Sequence, residues 1–301
     1  MAVGRPPEGS QHVRYYVTDQ GVARGAGAGT VELLDIEDAD LGSVLARDPQ
    51  LAELAAAPAT ETVALDTLTL LPPIRRPGKV VCMAINYQSH VDEVADILKA
   101  LNQEPPSEPV FFLVPSTAVA APDADTVLPA MAPDQVDYEI ELVAVIGRGG
   151  RNIAAEDAWG HVVGLSLGND VSARDLQAIA MMTQRHELGH AKGIDGFKPL
   201  GPCVVTLDEF ELPLDIVLET RVNGEVRQHE STTDMLFDIP TSVAYVSRFF
   251  TLEPGDVIFT GSPAGVGFAS RTFLRPGDVV ELSAGGVGSM TQRITAEAAG
   301  E

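Results

Sequence analysis

An apolar segment that carries two glutamates near its start constrains this chain most. The segment runs from Val136 to Ile146, and from Leu142 onward it contains only aliphatic residues. Such a run predicts a buried β-strand. Alternate side chains of a strand point to the same face about 7 Å apart, so we expect Glu139 and Glu141 to share a face. Taken alone, charged residues at a strand's start more often form a solvated face or salt bridges.

A third acidic residue follows on the next predicted strand. A short helical stretch over Asn152–Trp159 leads into an apolar strand over Val162–Leu167, which delivers Asp170 at its end. Three carboxylates held together without a cation repel one another and lose solvation, and a divalent ion removes that penalty. All ligands would be oxygens, with no histidine or cysteine nearby in sequence. The pattern therefore predicts a hard ion, Mg²⁺, with Mn²⁺ or Ca²⁺ as substitutes.

A histidine and a glutamate follow another apolar strand, predicted over Lys79–Ile85. Apolar residues then recur at helical spacing, which predicts a short amphipathic helix from His90 to about Leu101. His90 and Glu93 stand at positions i and i+3, on one side of that helix. A carboxylate beside an imidazole orients the ring and favours proton uptake, as a water-activating general base requires. An isolated pair with this spacing is more often a surface histidine near a helix start.

Short motifs in a fixed order extend from Ile74 to Ile294. They are Lys79-Val80-Val81-Cys82, Asn86-Tyr87-x-x-His90-x-x-Glu93, Pro109-x-Phe111-Phe112, Asp137-Tyr138-Glu139-x-Glu141-Leu142, Gly168-Asn169-Asp170-Val171-Ser172-Ala173-Arg174-Asp175-Leu176-Gln177, Ala191-Lys192-Gly193, Pro199-Leu200-Gly201-Pro202, Val222-Asn223-Gly224-Glu225, Gly255-Asp256-Val257-Ile258, Thr260-Gly261-Ser262-Pro263-Ala264-Gly265-Val266-Gly267 and Pro276-Gly277-Asp278-Val279-Val280. Each motif alone is weak. Together, in this order, they resemble the fumarylacetoacetate hydrolase family in its bacterial form with a small N-terminal domain.

The resemblance implies a fold and a set of catalytic residues. The fold would be of mixed α+β class, with a β-roll catalytic domain that encloses a Mg²⁺ site. The implied metal ligands are Glu139, Glu141 and Asp170. The resemblance also implies that His90 and Glu93 form a water-activating dyad on a lid that closes over the substrate.

The same resemblance assigns residues to the substrate. Lys192 would lie beside the metal and the substrate oxygens. The residues that would contact the bound acid are Arg174, Gln177, Gly261 and Ser262. The chain departs from the family pattern at Ala84, where glycine is usual, at Val114, where lysine is often found, and at Ser262, where threonine is expected. A substrate contact that a lysine makes at position 114 in relatives therefore does not carry over.

The resemblance implies an enzyme that acts on a small anionic acid. The expected reaction is Mg²⁺-dependent hydrolysis of a C–C bond in a 1,3-dioxo or 2-oxo acid of the acylpyruvate or fumarylpyruvate type, in a homodimer. Decarboxylation of an oxaloacetate-like acid and isomerisation of a hydroxymuconate-like acid, such as 2-hydroxyhepta-2,4-diene-1,7-dioate, use the same kind of site. A silent family member that binds without turnover is a further alternative, which the intact dyad argues against.

One motif points to a different class of enzyme. The sequence His186-Glu187-Leu188-Gly189-His190 fits the His-Glu-x-x-His pattern of zinc peptidases. The longer form of that pattern needs a third histidine where this chain has Gly196. We therefore expect His186 and His190 to belong to an enlarged loop, between Gln177 and Lys192, that covers the active site.

Composition agrees with an ordinary cytoplasmic enzyme. The 301 residues include 20 basic and 43 acidic side chains, and this balance argues against nucleic acid or an anionic membrane as a partner. No apolar run approaches the length of a membrane span, and the start of the sequence lacks the layout of a signal peptide. Cys82 and Cys203 lie in separate apolar segments and are expected to be reduced core residues.

The chain is expected to divide into a small and a large part. Residues 1–73 contain strand-like segments and a predicted helix around Ser43–Ala57, and prolines at 72, 73 and 77 close this part. Residues 74–301 would form the catalytic domain. Within it, Asn223-Gly224 between two β-type runs predicts a two-residue hairpin, and Pro240–Phe250 is typical of a helix.

Overall fold

The computed structural model describes residues 13–27, 29–100, 102, 104–182 and 188–297, which form a mixed α+β fold dominated by β-sheet. The strands are β1 (Arg14–Thr18), β2 (Gly21–Gly27), β3 (Thr30–Leu34), β4 (Ala59–Ala64), β5 (Leu70–Leu71), β6 (Val80–Ala84), β7 (Val110–Val114), β8 (Val119–Ala120), β9 (Thr126–Leu128), β10 (Val136–Asp137), β11 (Ile140–Ile146), β12 (Val162–Asn169), β13 (Ser172–Ala173), β14 (Lys198–Thr206), β15 (Val217–Val222), β16 (Glu225–Ser231), β17 (Val257–Phe259), β18 (Val279–Ala284) and β19 (Gly288–Ala296).

The helices are short and connect the strands. They are α1 (Leu41–Leu45), α2 (Ala52–Ala56), α3 (Gln88–Glu93), α4 (Ala95–Ala100), α5 (Arg174–Met182), α6 (Gly189–Lys192), α7 (Ile239–Val246) and α8 (Gly267–Ser270). Turns of 3₁₀ helix span Leu65–Thr67, Ser116–Ala118, Ala155–His161, Leu207–Glu209 and Thr232–Asp234. In the described part of the chain, no helix is long and apolar enough to cross a membrane.

Most strands belong to one long sheet or to a smaller one. The long sheet has the order β4-β3-β2-β1-β14-β12-β11-β17-β6-β7, with β5 paired to β1 and β8 paired to β14. The smaller sheet has the order β16-β15-β18-β19-β9, and β10 pairs separately with β13. Antiparallel pairing prevails, whereas β6 runs parallel to β17, β8 to β14 and β9 to β19.

Strand β11 lies between two hydrophobic cores. Leu142, Ala144 and Ile146 belong to a core shared with the smaller sheet. Val143 and Val145 belong to a second core, to which the N-terminal helices α1 and α2 contribute leucines. Burial on both faces explains why this strand is apolar without alternation.

The N-terminal strands extend the long sheet. Strand β1 pairs with β14 in the register Arg14↔Val205 and Tyr15↔Val204. Residues 13–71 thus contribute strands to the sheet that also carries the central strands of the catalytic part. The division of the chain into residues 1–73 and 74–301 stays a prediction.

Several predicted elements are interrupted in the structure. The strand predicted from Val136 to Ile146 breaks at Tyr138 and Glu139, because the Glu139 amide donates to Asn169 Oδ1 (2.9 Å). The helix predicted from His90 to about residue 101 is split into α3 and α4. The helix predicted around Ser43–Ala57 is likewise split into α1 and α2, with Asp48-Pro49 between them.

Other local predictions are confirmed. Asn223 and Gly224 link β15 to β16 with φ values of 53° and 80°, which is the left-handed conformation that a two-residue hairpin turn requires. The helix predicted over Pro240–Phe250 is present as α7, whose N-terminus is capped by the Asp238 side chain (2.9 Å to Thr241 N). The short helical stretch predicted before β12 is the 3₁₀ turn Ala155–His161.

Candidate metal centre and catalytic dyad

The ends of four strands meet at one edge of the long sheet. Strand β11 begins where β12 ends, because the two are antiparallel with Ile140 opposite Asn169. Strand β17 is antiparallel to β11, and β6 is parallel to β17, so the carboxyl ends of β6 and β17 reach the same edge. Side chains that follow β6, β12 and β17 are thereby placed beside those that begin β11.

Three carboxylates meet at this edge. Oxygens of Glu139, Glu141 and Asp170 lie within 4.8 Å of one another, and all three side chains are buried. The Asp170 amide donates to the Glu139 carbonyl (2.8 Å), which fixes the two backbones side by side. The Gly261 amide donates to Glu141 Oε2 (2.7 Å). The structure therefore brings together the three ligands expected from the sequence, although Glu139 precedes the strand instead of lying in it.

Two lysines contact the carboxylate cluster. Lys192 Nζ donates to Glu139 Oε2 and to Asp170 Oδ2, the latter at 2.6 Å. Lys198 Nζ lies 2.6 Å from Asp170 Oδ1 and donates to the backbone carbonyls of Lys192 and Phe197. Sequence reasoning missed Lys198, whose one local signal is a lysine at the start of an otherwise apolar strand.

Arg174 is held by groups of the protein. Its Nε donates to Asp137 Oδ2 (2.9 Å), Nη2 donates to Glu139 Oε1, and Nη1 donates to Gln177 Oε1 (2.8 Å). Asp137 also accepts from the amides of Gly267 (2.7 Å) and Phe268 (2.8 Å). Asp137 belongs to the motif read from the sequence, but no role was expected of it. The substrate contacts of Arg174 and Gln177 stay predictions.

The two glutamates of the cluster have opposite pKa shifts. Burial acts to raise the pKa of Glu139, but Arg174, Lys192 and His90 more than offset it, so that the pKa is lowered. Burial raises the pKa of Glu141 well above its ordinary value, and the charges of Asp170 and Glu139 add to the shift. Glu141 is thus the carboxylate of the cluster whose negative charge the surrounding groups compensate least.

These residues fit a hard divalent cation. The donors are all carboxylate oxygens, which Mg²⁺, Mn²⁺ and Ca²⁺ prefer. Among the described residues, Asp170 Oδ1 is a buried oxygen with no hydrogen bond of acceptable geometry, despite its closeness to Lys198. A buried carboxylate oxygen that accepts no hydrogen bond and a glutamate with a raised pKa both indicate that the cluster can accept a further positive charge.

His90 and Glu93 form a hydrogen-bonded pair on α3. His90 Nδ1 lies 3.0 Å from Glu93 Oε2, as the i, i+3 spacing predicted. Glu93 Oε1 accepts from the Gly265 amide (2.8 Å), which fixes the carboxylate. In the neutral imidazole, a hydrogen on Nδ1 directed at this carboxylate would leave the Nε2 lone pair free to accept a proton.

Asn86 connects the segment that leads to His90 with the strand end that precedes Gly261. Its Nδ2 donates to the carbonyls of Thr260 (2.7 Å) and Phe237 (2.9 Å), and its Oδ1 accepts from the Phe237 amide (2.9 Å). Gly261 has φ 91°, and a Cβ there would lie 2.7 Å from the Asn86 Cβ. Glycine is thus required where the turn after β17 passes the segment that leads to His90.

Of the two histidines in the peptidase-like motif, the structure describes only His190. His190 lies exposed on α6, two residues before Lys192, whereas His186 lies outside the described residues. In the described part of the chain, the acidic cluster at residues 139, 141 and 170 is the group of side chains suited to a metal.

Comparisons with known proteins agree with this geometry. The family described as "Fumarylacetoacetate (FAA) hydrolase C-terminal" matches residues 79–295. The human protein oxaloacetate tautomerase FAHD2A, mitochondrial, is 37% identical over 261 residues, which cover 86% of this chain and 78% of the human one.

Two solved structures share the whole described fold. Fumarylacetoacetate hydrolase from Exiguobacterium antarcticum superposes with a TM-score of 0.78 and is 35% identical, covering 95% of this chain and 100% of its own. The 2-hydroxyhepta-2,4-diene-1,7-dioate isomerase from Mycobacterium marinum has a TM-score of 0.74 and 32% identity, covering 96% of this chain and 100% of its own. The protein therefore belongs to the fumarylacetoacetate hydrolase family.

Proposed function

We propose that this protein is a divalent-metal-dependent enzyme that interconverts the keto and enol forms, or the double-bond isomers, of a small anionic 2-oxo acid. The observation that carries the proposal is the buried carboxylate cluster with a hydrogen-bonded histidine–glutamate pair beside it. The relatives named oxaloacetate tautomerase and 2-hydroxyhepta-2,4-diene-1,7-dioate isomerase support this reaction class ahead of the hydrolysis expected from the sequence.

Glu139, Glu141 and Asp170 would hold the cation, with Mg²⁺ as the ion that the oxygen donors favour and Mn²⁺ or Ca²⁺ as substitutes. When bound, the cation would supply positive charge that favours binding of the oxo and carboxylate oxygens and the build-up of negative charge on them. Lys192 adds a further buried positive charge at the same place.

His90 would move the proton. Its Nε2 takes a proton from the carbon next to the oxo group, while the C=C bond forms and the electron pair of the C=O bond moves to oxygen. The same proton returns to the substrate at the enol oxygen in a tautomerase, or at a more distant carbon in an isomerase. Glu93 holds Nδ1 and stabilises the imidazolium between the two transfers.

Hydrolysis of a C–C bond is the second candidate. An imidazole oriented by a carboxylate can equally deprotonate a water molecule, and the Exiguobacterium relative is named a fumarylacetoacetate hydrolase. In that reaction the hydroxide attacks the distal carbonyl of a 1,3-dioxo acid, and the enolate of the shorter oxo acid leaves. Decarboxylation of an oxaloacetate-like acid needs no attacking water and passes through an enolate as well.

Further features belong to the same proposal. The residues proposed to contact the bound acid are Arg174, Gln177, Gly261 and Ser262. We propose a homodimer on the strength of the family resemblance and a cytoplasmic location on the strength of the composition. A zinc site at His186 and His190 is disfavoured, because the family resemblance implies that the chemistry belongs to the acidic cluster.

The test is a substrate panel on metal-stripped protein, with and without Mg²⁺. The panel contains oxaloacetate followed as keto–enol exchange and as decarboxylation, 2-hydroxyhepta-2,4-diene-1,7-dioate, fumarylpyruvate and acylpyruvates. Mg²⁺-dependent exchange or isomerisation without C–C cleavage is expected, with Glu141→Gln as the inactive control. Faster C–C cleavage would favour the second candidate, and full activity after exhaustive chelation would overturn both.

A further inference from the structure

Gln228 on β16 has every hydrogen-bonding position of its side chain in use. It is fully buried, and its Nε2 donates to Ser262 Oγ (2.8 Å) and to the Pro263 carbonyl (2.9 Å). Its Oε1 accepts from the Ile140 amide (3.1 Å) and from the Thr220 hydroxyl (3.0 Å). The orientation of the amide is fixed, because the Ile140 amide can only donate and the Pro263 carbonyl can only accept.

This arrangement decides what the Ser262 hydroxyl can do. The oxygen accepts a hydrogen bond from Gln228, so its own proton must be directed elsewhere. Within the described ranges, no group accepts a hydrogen bond from the Ser262 hydroxyl. Ser262 is also nearly buried, with 6% of its surface exposed, so water has little access to it. The neighbouring Gly261 amide donates to Glu141, so Ser262 directly follows a residue that contacts the carboxylate cluster. Ser262 thus has one hydroxyl donor without a partner among the described residues, in the turn whose Gly261 amide contacts the cluster.

Gln228 also connects two parts of the site. Ile140, whose amide it binds, stands between Glu139 and Glu141, and Ser262 stands in the turn after β17. One buried amide therefore sets the position of the turn relative to the segment that carries two of the three carboxylates.

We propose that Gln228 is a positioning residue that makes Ser262 a hydrogen-bond donor to an anionic oxygen of the substrate. The proposal rests on the proposed function, since it requires an oxo acid bound at the carboxylate cluster. If Gln228 only stabilised the turn, the effect of its replacement on oxalate binding would not depend on the Ser262 hydroxyl.

The test uses Gln228→Glu, which keeps the size of the side chain and replaces the amide NH₂ by oxygen. The glutamate oxygen can accept a hydrogen bond from Ser262 Oγ, so the hydroxyl hydrogen is no longer available to the ligand. The probe is oxalate, a planar dianion that resembles the enolate of a 2-oxo acid, titrated by calorimetry into Mg²⁺-loaded protein. We expect oxalate affinity to fall about 10- to 100-fold, which is the usual contribution of a hydrogen bond to a charged group.

Controls separate positioning from stability. Mg²⁺ affinity without oxalate should stay near the wild-type value, whereas the melting temperature of Gln228→Glu should fall because the buried Pro263 carbonyl loses its donor. Ser262→Ala should weaken oxalate binding by a similar factor, and Ser262→Thr should retain oxalate affinity. Because Gln228 acts through the hydroxyl, the double variant should bind oxalate no more weakly than Ser262→Ala. If Gln228→Glu does not fold, Gln228→Met takes its place in the same cycle.

Two results would overturn the inference while leaving the proposed function intact. One is full oxalate affinity in Gln228→Glu when Ser262→Ala has lost it, and the other is a double variant in which the two losses multiply. If wild-type protein with Mg²⁺ binds no oxalate, the proposed function fails, and this inference fails with it.

Discussion

At the residue scale, the same chemical group behaves differently at two positions of one site. Glu139 is surrounded by Arg174 and Lys192, whereas Glu141 is bonded to one backbone amide and lies beside two other carboxylates. Their pKa values therefore move in opposite directions. In the proposed metal site, Glu141 would gain most from a divalent cation, because Lys192 and the Gly261 amide only partly offset the effect of burial and of the two other carboxylates on its pKa.

Replacing Glu141 by glutamine should remove metal binding. The change keeps the shape and the hydrogen bond from Gly261 but removes the charge that holds the cation, so Mg²⁺ affinity should fall by at least about 100-fold. Calorimetric titration of metal-stripped protein measures this. Glu253→Gln is a matched control, because that glutamate pairs with Lys79 at the surface and should leave Mg²⁺ affinity unchanged. Equal affinities in the two variants would remove Glu141 from the ligand set.

Replacing His90 by alanine should separate chemistry from metal binding. Loss of a general base typically costs about 100- to 10,000-fold in rate, so turnover of the best substrate should drop by that order. Mg²⁺ affinity should persist, because His90 is not a ligand in the proposed site. Glu93→Gln should be milder, since the ring stays in place and loses only the charge that stabilises the imidazolium. Wild-type turnover in His90→Ala at saturating Mg²⁺ would exclude the proposed role.

At the element scale, the turn after β17 joins the carboxylate cluster to the His90–Glu93 pair. Gly261 donates to Glu141, Ser262 accepts from Gln228, and Gly265 donates to Glu93. Every one of these contacts crosses from one element to another. The backbone of this turn must therefore keep one defined conformation, in which two of its glycines have positive φ.

Replacing Gly265 by alanine should destabilise the protein more than the same change at Gly277. Both glycines have φ near 100°, so an alanine at either position should lower the free energy of unfolding by about 1 to 2 kcal/mol, because its Cβ disfavours a left-handed backbone. At Gly277 the added methyl group meets nothing within 4 Å, whereas at Gly265 it would lie 1.9 Å from the Arg227 carbonyl oxygen. That overlap should add about 1 to 3 kcal/mol.

Urea unfolding of the two variants beside the wild type measures this difference. Equal losses of unfolding free energy would show that the turn relaxes away from Arg227 without penalty. A larger loss in Gly265→Ala, together with reduced turnover, is expected, because the backbone shift also moves the amide that holds Glu93.

At the scale of the whole molecule, the two cores enclose both cysteines. Cys203 belongs to the core under the smaller sheet and Cys82 to the core under the N-terminal helices, and both are free thiols. Burial raises the pKa of Cys203 to about 12 and that of Cys82 well above its ordinary value. The prediction of reduced core cysteines is thereby confirmed.

Both thiols should be inert in the native protein. The thiolate is the reactive form, and a raised pKa leaves almost none of it at about pH 8. An aromatic disulfide reagent should therefore release no chromophore from folded protein at this pH and two equivalents after unfolding in guanidinium, since the chain has two cysteines. Rapid reaction of one thiol in the folded state would show that the core around it opens.

The sequence by itself determined the features that depend on neighbours in the chain. The i, i+3 spacing placed His90 beside Glu93, and Asn223-Gly224 specified its hairpin, because both depend on a few consecutive residues. The acidic positions 139, 141 and 170 can be recognised because each lies in or directly beside a strand whose apolar character is evident.

Only the tertiary structure decided which distant groups complete the site. The side-chain oxygen of Asn169 accepts from the Glu139 backbone amide, which takes Glu139 out of the strand pairing. Asp137 accepts from Arg174, and Gln228 of the smaller sheet donates to Ser262. A lone asparagine, aspartate or glutamine carries no spacing pattern that identifies its partner. Burial obliges each of these polar groups to find one, and the packing of the two sheets selects which partner is within reach.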